Sequence, residues 1–251
     1  MSAVTGKKQR AGFLDEWRGV ALICMLFYHT AYDLYAMFGV PLPLFTSPFY
    51  VYLQKFIGYS FILISGISCS YSRSNLRRGV ICFGCGLLMT IATAVAMPSQ
   101  LILFGVLHFL GAAMLLYALL HKLLEKIPTV WGMAGSAVLF ILLQNVSRGW
   151  IGLGPVRLML PEILYASNLL FPLGFFGPNF SSADYYPILP WIFLFLFGAF
   201  WGRIWKAGKM PSFVYQTHLK PLALLGRRTI LVYLIHQPVI YAVLMVVFMV
   251  I

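Results

Sequence analysis

Four ionisable side chains lie on one face of the first apolar segment. In LDEWRGVALICMLFYHTAYD, residues 14–33, they are Asp15, Arg18, His29 and Asp33. A helix turns about 100° per residue, so these side chains fall within an arc of roughly 60°. At about 1.5 Å per residue they spread over roughly 27 Å of the axis, close to the thickness of the hydrocarbon core. The first helix is therefore predicted to carry a polar stripe across a membrane.

The outer half of this stripe, His29 and Asp33, has the chemistry of a general base. A carboxylate four residues after a histidine accepts a hydrogen bond from one imidazole nitrogen and leaves the other nitrogen available as a base. Such a base takes the proton of a hydroxyl or amine as that group attacks an acyl carbon. The alternative is a structural pair that holds helices together, because a carboxylate buried in a membrane requires a partner.

Polar residues in other apolar segments favour the catalytic interpretation. The fourth segment contains His108, and the seventh contains His236 beside Gln237. His108 fits a core histidine as well as a substrate ligand, and His236 fits a structural role as well as a functional one. We expect several helices to line one partly hydrated passage. The second segment repeats small and polar side chains at helical spacing, at Gln54, Gly58, Ser65, Ser68 and Ser72.

The elements that must position these side chains are membrane spans. Of 251 residues, 61% are hydrophobic and 10% are charged, and the mean hydropathy is +0.88. Because soluble domains have about 25% charged residues, the composition predicts an all-α polytopic membrane protein. We predict a tail at 1–12 and a single transmembrane domain at 13–251. Segments long enough to cross a bilayer lie at 13–37, 49–72, 79–97, 101–121, 130–148, 187–205 and 229–250.

The distribution of cations predicts the orientation of this seven-helix bundle. The net charge is +12, but nearly all loop cations fall on one side of the predicted spans. That asymmetry is the positive-inside pattern, so we expect a cytoplasmic N-terminus, contacts with membrane lipids and no nucleic-acid partner. The other side has only Arg148 and Arg157. The cytoplasmic loops hold Lys7, Lys8, Arg10, Arg73, Arg77, Arg78, Lys122, Lys126, Arg203, Lys206, Lys209, Lys220, Arg227 and Arg228.

Two connections between spans are long. The outer connection, 149–186, is apolar and rich in Gly, Pro and aromatic residues, so we expect it to fold back as a short or re-entrant helix over the bundle. It brings Arg157, Glu162 and Asp184 to the outer face. The cytoplasmic connection, 206–228, contains SFVYQTHLKPLALLG, which is predicted to lie along the membrane surface as an amphipathic segment.

The cysteines do not indicate redox or metal chemistry. Cys24, Cys69, Cys82 and Cys85 all fall inside predicted spans, and the CxxC pair has no histidine or acidic residue beside it. Such residues are typical of helix packing. We expect no metal cofactor and no extracellular disulfide.

Five blocks of the sequence together resemble a known family. In chain order they are LDEWRGVALICMLFYHTAYD, FILISGIS, FGVLHFLG, DYYPILPWIFLFLFG and LVYLIHQP. Over nearly the whole chain they are similar to the short bacterial relatives of the heparan-alpha-glucosaminide N-acetyltransferase catalytic domain. The opening LDxxRGxA, followed by an aliphatic run and His, also resembles the broader transmembrane acyltransferase superfamily.

The resemblance implies transfer of an acyl group, most simply acetyl, from cytoplasmic acetyl-CoA to an acceptor on the far side of the membrane. The superfamily's first-helix catalytic His corresponds to His29. Lysosomal members place a proposed catalytic His in the loop after the first helix, and this sequence has none between 38 and 49. The implied partners are acyl-CoA, coenzyme A as product, a sugar-like or lipid-linked acceptor and, as an open option, a second copy of the chain in a homo-oligomer.

Within that resemblance the polar stripe becomes one wall of a thioester tunnel. His29 would act as general base oriented by Asp33, and direct transfer and an acyl-histidine relay both remain open. The predicted acceptor pocket contains His108, Arg157, Glu162 and Asp184. The predicted acyl-CoA contacts, with phosphates at the arginines, are Asp15, Arg18, Ser65, Arg227, Arg228, His236 and Gln237.

Two other function classes fit parts of the sequence. A proton-coupled small-molecule transporter would use His29 and Asp33 as a proton relay, but the sequence has no inverted repeat and no paired broken helices. A non-catalytic scaffold would bind a partner through its outer connection, which leaves the polar stripe unexplained.

Overall fold

The computed structural model describes residues 11–250, so the predicted cations Lys7, Lys8 and Arg10 lie outside the described residues. The helices and strands are α1 (Gly12–Tyr32), α2 (Pro48–Cys69), α3 (Asn75–Ala96), α4 (Val106–Glu125), α5 (Thr129–Leu142), β1 (Trp150–Leu153), β2 (Val156–Met159), α6 (Ile188–Lys206), α7 (Lys220–Arg227) and α8 (Thr229–Val250). A π-helical turn, Asp33–Met37, continues α1.

Seven helical segments of the described chain are long and apolar enough to cross a membrane, which confirms an all-α polytopic membrane protein. Each overlaps one predicted span. The fourth begins at Val106 and not at 101, because residues 101–104 pair instead with the outer connection. The segments are Gly12–Met37, Pro48–Cys69, Asn75–Ala96, Val106–Glu125, Thr129–Arg148, Ile188–Lys206 and Thr229–Val250.

The described chain forms two compact units. The first contains the described parts of Met1–Ile64 and Gly208–Ile251. In it α1 packs closely along α7, and the glycines make this possible: Gly19 faces the backbone of Leu222, and Gly226 faces the backbone carbonyl of Asp15. A side chain at either glycine would push the helices apart. The apolar centre of this unit consists of Ala21, Leu22, Met25, Ile57 and Phe61.

The second unit, Ser65–Ala207, is built from two packed helix pairs, α3 with α4 and α5 with α6. Gly111 of α4 lies against the backbone of Phe83, and Gly132 of α5 lies against the ring of Phe200. Close approach at small residues is typical of membrane helices, whose association depends on packing and not on water exclusion. These close contacts hold the helices of each pair in fixed positions within the second unit.

The outer connection was predicted as a short or re-entrant helix. It begins with an antiparallel hairpin, β1 with β2, and its short helices are 3-10 turns at Glu162–Tyr165 and Phe171–Leu173. The glycines explain the hairpin, because Gly152 and Gly154 adopt positive φ angles that other residues rarely adopt.

The end of the outer connection is fixed to the start of α4. Phe104 and Tyr185 form an isolated parallel bridge, and Tyr186 N–H donates to the Phe104 carbonyl at 2.8 Å. Burial raises the pKa of Tyr185, which keeps its hydroxyl protonated as a donor to the Phe171 carbonyl at 2.5 Å. These bonds take the place of the helical hydrogen bonds that were expected for residues 101–104.

The connection 206–228, predicted as an amphipathic segment, has two short helices. Ser212–Tyr215 forms a 3-10 turn, and Lys220–Arg227 forms α7. Ala223 and Gly226 are buried on one side of α7, while Leu224 and Arg227 on the other side are exposed. The segment thus belongs to the first unit by its packing on α1.

Candidate active site

A buried polar cluster lies in the first unit, where the end of α1 meets α8. Its members are His29, Asp33, His236 and Gln237. Asp33 has no exposed surface, His236 is 6% exposed, and His29 is half-buried. The structure therefore brings both predicted catalytic residues together with two of the residues predicted to bind acyl-CoA.

The His236 ring has an assignable tautomer. Its Nδ1 lies 2.6 Å from the Tyr233 carbonyl, and because a carbonyl only accepts hydrogen bonds, Nδ1 carries the hydrogen. A neutral ring then has its lone pair on Nε2. That nitrogen is buried and has no hydrogen-bond partner within the described residues. His236 therefore presents a basic nitrogen to the cluster.

The predicted hydrogen bond between His29 and Asp33 is replaced by another contact. The Gln237 amide Nε2 donates to Asp33 Oδ1 at 2.7 Å. His29 instead lies beside His236, with ring centroids 4.7 Å apart and an interplanar angle of 63°. The expectation that Asp33 orients His29 is thus corrected, since the amide of the facing helix provides Asp33 with a donor. Asp33 positions Gln237, and the neighbour of the predicted base is a second imidazole.

The cluster contains several acceptor atoms that need donors. Asp33 Oδ2, Gln237 Oε1 and His236 Nε2 are buried and make no hydrogen bond within the described part of the chain. Buried polar atoms in folded proteins nearly always have a partner, and each unpaired one costs about 1–3 kcal/mol. A molecule with hydroxyl or amine hydrogens would satisfy these acceptors.

The other half of the stripe, at the start of α1, forms an ion-pair network. Arg18 donates to Asp15 Oδ1 at 2.8 Å, and Arg227 Nε donates to Asp15 Oδ2 at 3.1 Å. Asp15 is buried; its Oδ1 pairs with Arg18 within α1, and its Oδ2 joins α1 to α7 through Arg227. These ion pairs neutralise part of the positive charge that was predicted to bind phosphate. Arg228, also predicted to bind phosphate, is exposed just beyond α7.

Glu16 is a site-organising residue that sequence reasoning missed. Its carboxylate accepts from the backbone N–H groups of His218 and Leu219, the latter at 2.6 Å, at the start of α7. The His218 ring Nδ1 is 3.3 Å from the other Glu16 oxygen. Glu16 therefore caps α7 from outside that helix. The available signal was a carboxylate inside a predicted span, which requires a partner.

His108 and Asp184 lie in the second unit, near the outer connection. Asp184 Oδ2 accepts from the Val106 N–H at 2.9 Å and so caps the start of α4. His108 is 2% exposed, and its ring lies against Phe104 and Phe83 with centroids 5.7 and 5.5 Å away. Its Nε2 is 3.3 Å from the Thr90 hydroxyl, and its Nδ1 is buried without a hydrogen-bond partner in the described chain. This placement favours the core interpretation of His108.

Three further predicted residues of this unit are placed separately. Ser65 is half-buried on α2. Arg157 lies on the exposed hairpin, where it donates to the Gly154 carbonyl at 2.9 Å and stacks 4.5 Å over the Trp150 ring. Glu162 is exposed at the start of a 3-10 turn. The hairpin contacts of Arg157 are local, so the structure does not gather these three with His108.

Among residues 11–250, no three His, Cys, Asp or Glu side chains are placed to hold an ion. The four cysteines are unpaired thiols, and Cys82 donates to the Leu107 carbonyl at 3.5 Å.

Comparison with family models matches residues 10–238 to the family described as heparan-alpha-glucosaminide N-acetyltransferase, catalytic. The match covers most of the chain and includes all four residues of the buried cluster. Comparison with curated proteins and with solved structures gave no match.

Proposed function

Because the chain belongs to the heparan-alpha-glucosaminide N-acetyltransferase catalytic family, we propose that it is a membrane acyltransferase. Its donor is acyl-CoA, most simply acetyl-CoA, which it meets on the cytoplasmic side. Its acceptor is a sugar-like or lipid-linked molecule of the cell envelope, met on the outer side of a bacterial cytoplasmic membrane. The proposed chemistry takes place at His29.

One observation carries this proposal: a buried cluster that pairs two imidazoles and leaves several acceptor atoms unsatisfied. Asp33 Oδ2, Gln237 Oε1 and His236 Nε2 lack partners in the described chain, while His29 lies beside His236. An acceptor hydroxyl or amine supplies the hydrogens that these atoms need. The same hydroxyl or amine is the nucleophile that a general base activates.

The transfer step balances with these groups alone. The acceptor oxygen or nitrogen attacks the thioester carbonyl carbon, and the His29 imidazole takes the proton from the attacking atom. The C–S bond then breaks, and the coenzyme A thiolate takes that proton from the imidazolium. The products are the acylated acceptor and coenzyme A. His236 provides a second nitrogen base next to His29, so a proton is held within the pair between these two events.

Asp33 and Gln237 act in this proposal as positioning residues. Their hydrogen bond of 2.7 Å fixes the Gln237 amide within the cluster. Two sets of contacts hold the cytoplasmic end of α1. Asp15 pairs with Arg18 and Arg227, and Glu16 bonds to the start of α7. Fixed geometry matters because a general base works only within hydrogen-bond reach of the proton it takes.

The direct test uses the purified full-length chain with acetyl-CoA and an extract of envelope glycans and lipids. We expect coenzyme A to raise the melting temperature, since a ligand of the folded state stabilises it. We also expect release of thiol that increases with the extract, and mass spectrometry identifies the acylated product. An unchanged melting temperature together with no thiol release would contradict the proposal. Proton uptake by liposomes containing such an inactive protein would then indicate the transporter.

A further inference from the structure

A water-accessible cavity of about 970 Å³ lies within the second unit. It is bounded by the end of α2, the start of α3 and the ends of α4 and α6. All these helix ends belong to loops that the charge distribution assigns to the cytoplasm. Small-molecule sites typically enclose about 300–1,000 Å³, so the cavity is large enough for a nucleotide-sized ligand.

The lining of this cavity is strongly basic. Lys and Arg contribute four residues and acidic side chains only Glu125, whose carboxylate lies 3.4 Å from His121. The guanidinium of Arg203 is already engaged, because it donates to the carbonyls of Leu124 and Ile127 at the end of α4. The cations that remain are Arg73, Lys122 and Lys206.

These three cations have no ion pair or side-chain hydrogen bond within the part of the chain that the structure describes. Positive charges collected around one concave surface repel each other, and they raise the local concentration of anions. The arrangement differs from the Arg18 and Arg227 network of the first unit, where Asp15 occupies both guanidinium groups. The cavity therefore offers its charge to a ligand.

The uncharged part of the lining selects the kind of anion. Ser72 provides a hydroxyl group near the start of α3, whose positive helix end favours phosphate. The side chains of Ser70, Ser74 and Asn75 also line the cavity and bond to Ala199, Arg77 and Cys69. The partly exposed ring of His121, in edge contact with the buried Tyr117 ring at 5.8 Å, adds an aromatic surface. A polar wall with one aromatic surface suits a water-borne nucleotide better than the acyl chains of a lipid.

We propose that this cavity binds the phosphate groups of acyl-CoA through Arg73, Lys122 and Lys206. The inference rests on the proposed acyl transfer and names the binding site of its donor. Acyl-CoA carries a diphosphate, a ribose phosphate and an adenine, which matches separate cations together with an aromatic surface. The phosphate contacts predicted for Arg18 and Arg227, which pair with Asp15, are thereby assigned to residues that form no ion pair within the described chain.

The test measures coenzyme A binding to the full-length protein in nanodiscs of zwitterionic lipid by isothermal titration calorimetry. Lys122→Gln, Lys206→Gln and Arg73→Gln should each weaken affinity about tenfold, as expected for one lost charge-assisted hydrogen bond. Lys122→Arg keeps the charge and should restore most of the affinity. Dephospho-CoA lacks the ribose phosphate. The substitution that removes the ribose-phosphate contact should therefore weaken the binding of coenzyme A but leave the affinity for dephospho-CoA unchanged.

The matched control is Lys126→Gln, at an exposed lysine just beyond the end of α4 that does not line the cavity. It should leave coenzyme A affinity unchanged. Melting temperatures within about 2 °C of the unsubstituted protein would show that the surface substitutions preserve the fold.

The outcomes separate this inference from the proposed function. If the unsubstituted protein binds coenzyme A and all three cavity variants bind it equally well, the site assignment is overturned while acyl transfer stands. If the unsubstituted protein does not bind coenzyme A at all, both fail. A lipid headgroup carries the same phosphate chemistry, so the titration is repeated with phosphatidylglycerol in the nanodiscs. Native mass spectrometry measures the phosphatidylglycerol that each variant retains. If the variants lose bound phosphatidylglycerol but keep their affinity for coenzyme A, the nucleotide assignment is overturned.

Discussion

His236 and His108 are both buried histidines of membrane spans, and their surroundings differ in one decisive respect. His108 is enclosed by Phe104 and Phe83, and its Nε2 faces the Thr90 hydroxyl. His236 lies beside a second imidazole, in a cluster whose unpaired atoms also include a carboxylate oxygen and an amide oxygen. Burial alone is thus a poor guide to catalysis. Each site has one buried ring nitrogen without a hydrogen-bond partner in the described chain, at His108 Nδ1 and at His236 Nε2. What distinguishes the His236 site is the second imidazole, together with an unpaired carboxylate oxygen and an unpaired amide oxygen.

The largest effect that this comparison predicts comes from His29→Ala. Removal of the general base should lower acetyl-CoA turnover by about 100-fold or more, because base catalysis contributes roughly 10²- to 10⁴-fold. Thiol release measures turnover, and coenzyme A binding should persist in the variant. His108→Ala is the matched control in the other histidine site. It should lower the melting temperature while turnover per folded molecule stays within about threefold of the unsubstituted protein. If His108→Ala abolished turnover and His29→Ala lowered only the melting temperature, His108 and not His29 would be the general base.

A smaller effect is expected from Asp33→Asn, which separates two hypotheses about Asp33. If Asp33 only positions Gln237, the Asn side-chain oxygen still accepts from the Gln237 amide, and activity should fall by about tenfold or less. The pH dependence of turnover should keep its shape, because the charge on Asp33 does not act on His29. A displaced pH profile would instead restore the sequence-based hypothesis that the carboxylate orients and polarises His29. Asp33→Ala removes the acceptor and should cost more activity than Asp33→Asn.

The smallest effect is expected at the outer end of the second unit. Asp184→Ala removes the carboxylate that accepts from Val106 N–H at 2.9 Å, and loss of such a cap costs about 1 kcal/mol. A lower melting temperature with unchanged turnover would confirm a structural role. Asp184→Asn keeps an acceptor and should recover most of the loss. A marked rise in KM for the acceptor, without a change in melting temperature, would return Asp184 to the predicted acceptor pocket.

Hydropathy and spacing were enough to predict much of the fold. The seven predicted spans each overlap a membrane-length helix, because the length of an apolar run is a local property of the chain. The outer connection shows the limit of the same reasoning. Its apolar composition predicted a helix, but Gly152 and Gly154 favour a turn, and Tyr186 bonds to Phe104, which lies far earlier in the sequence. Composition does not reveal such pairing.

For the candidate site, the sequence by itself determined which residue types are available and which of them share a helix face. It placed His29 and Asp33 on one face of α1 and set His236 beside Gln237, because helical periodicity is fixed by the backbone. Only the tertiary structure decided their partners. Gln237 bonds to Asp33 across 204 residues of chain, and His218 bonds to Glu16 across 202. Such contacts depend on how helices pack, and packing is a property of the whole chain that no single segment carries.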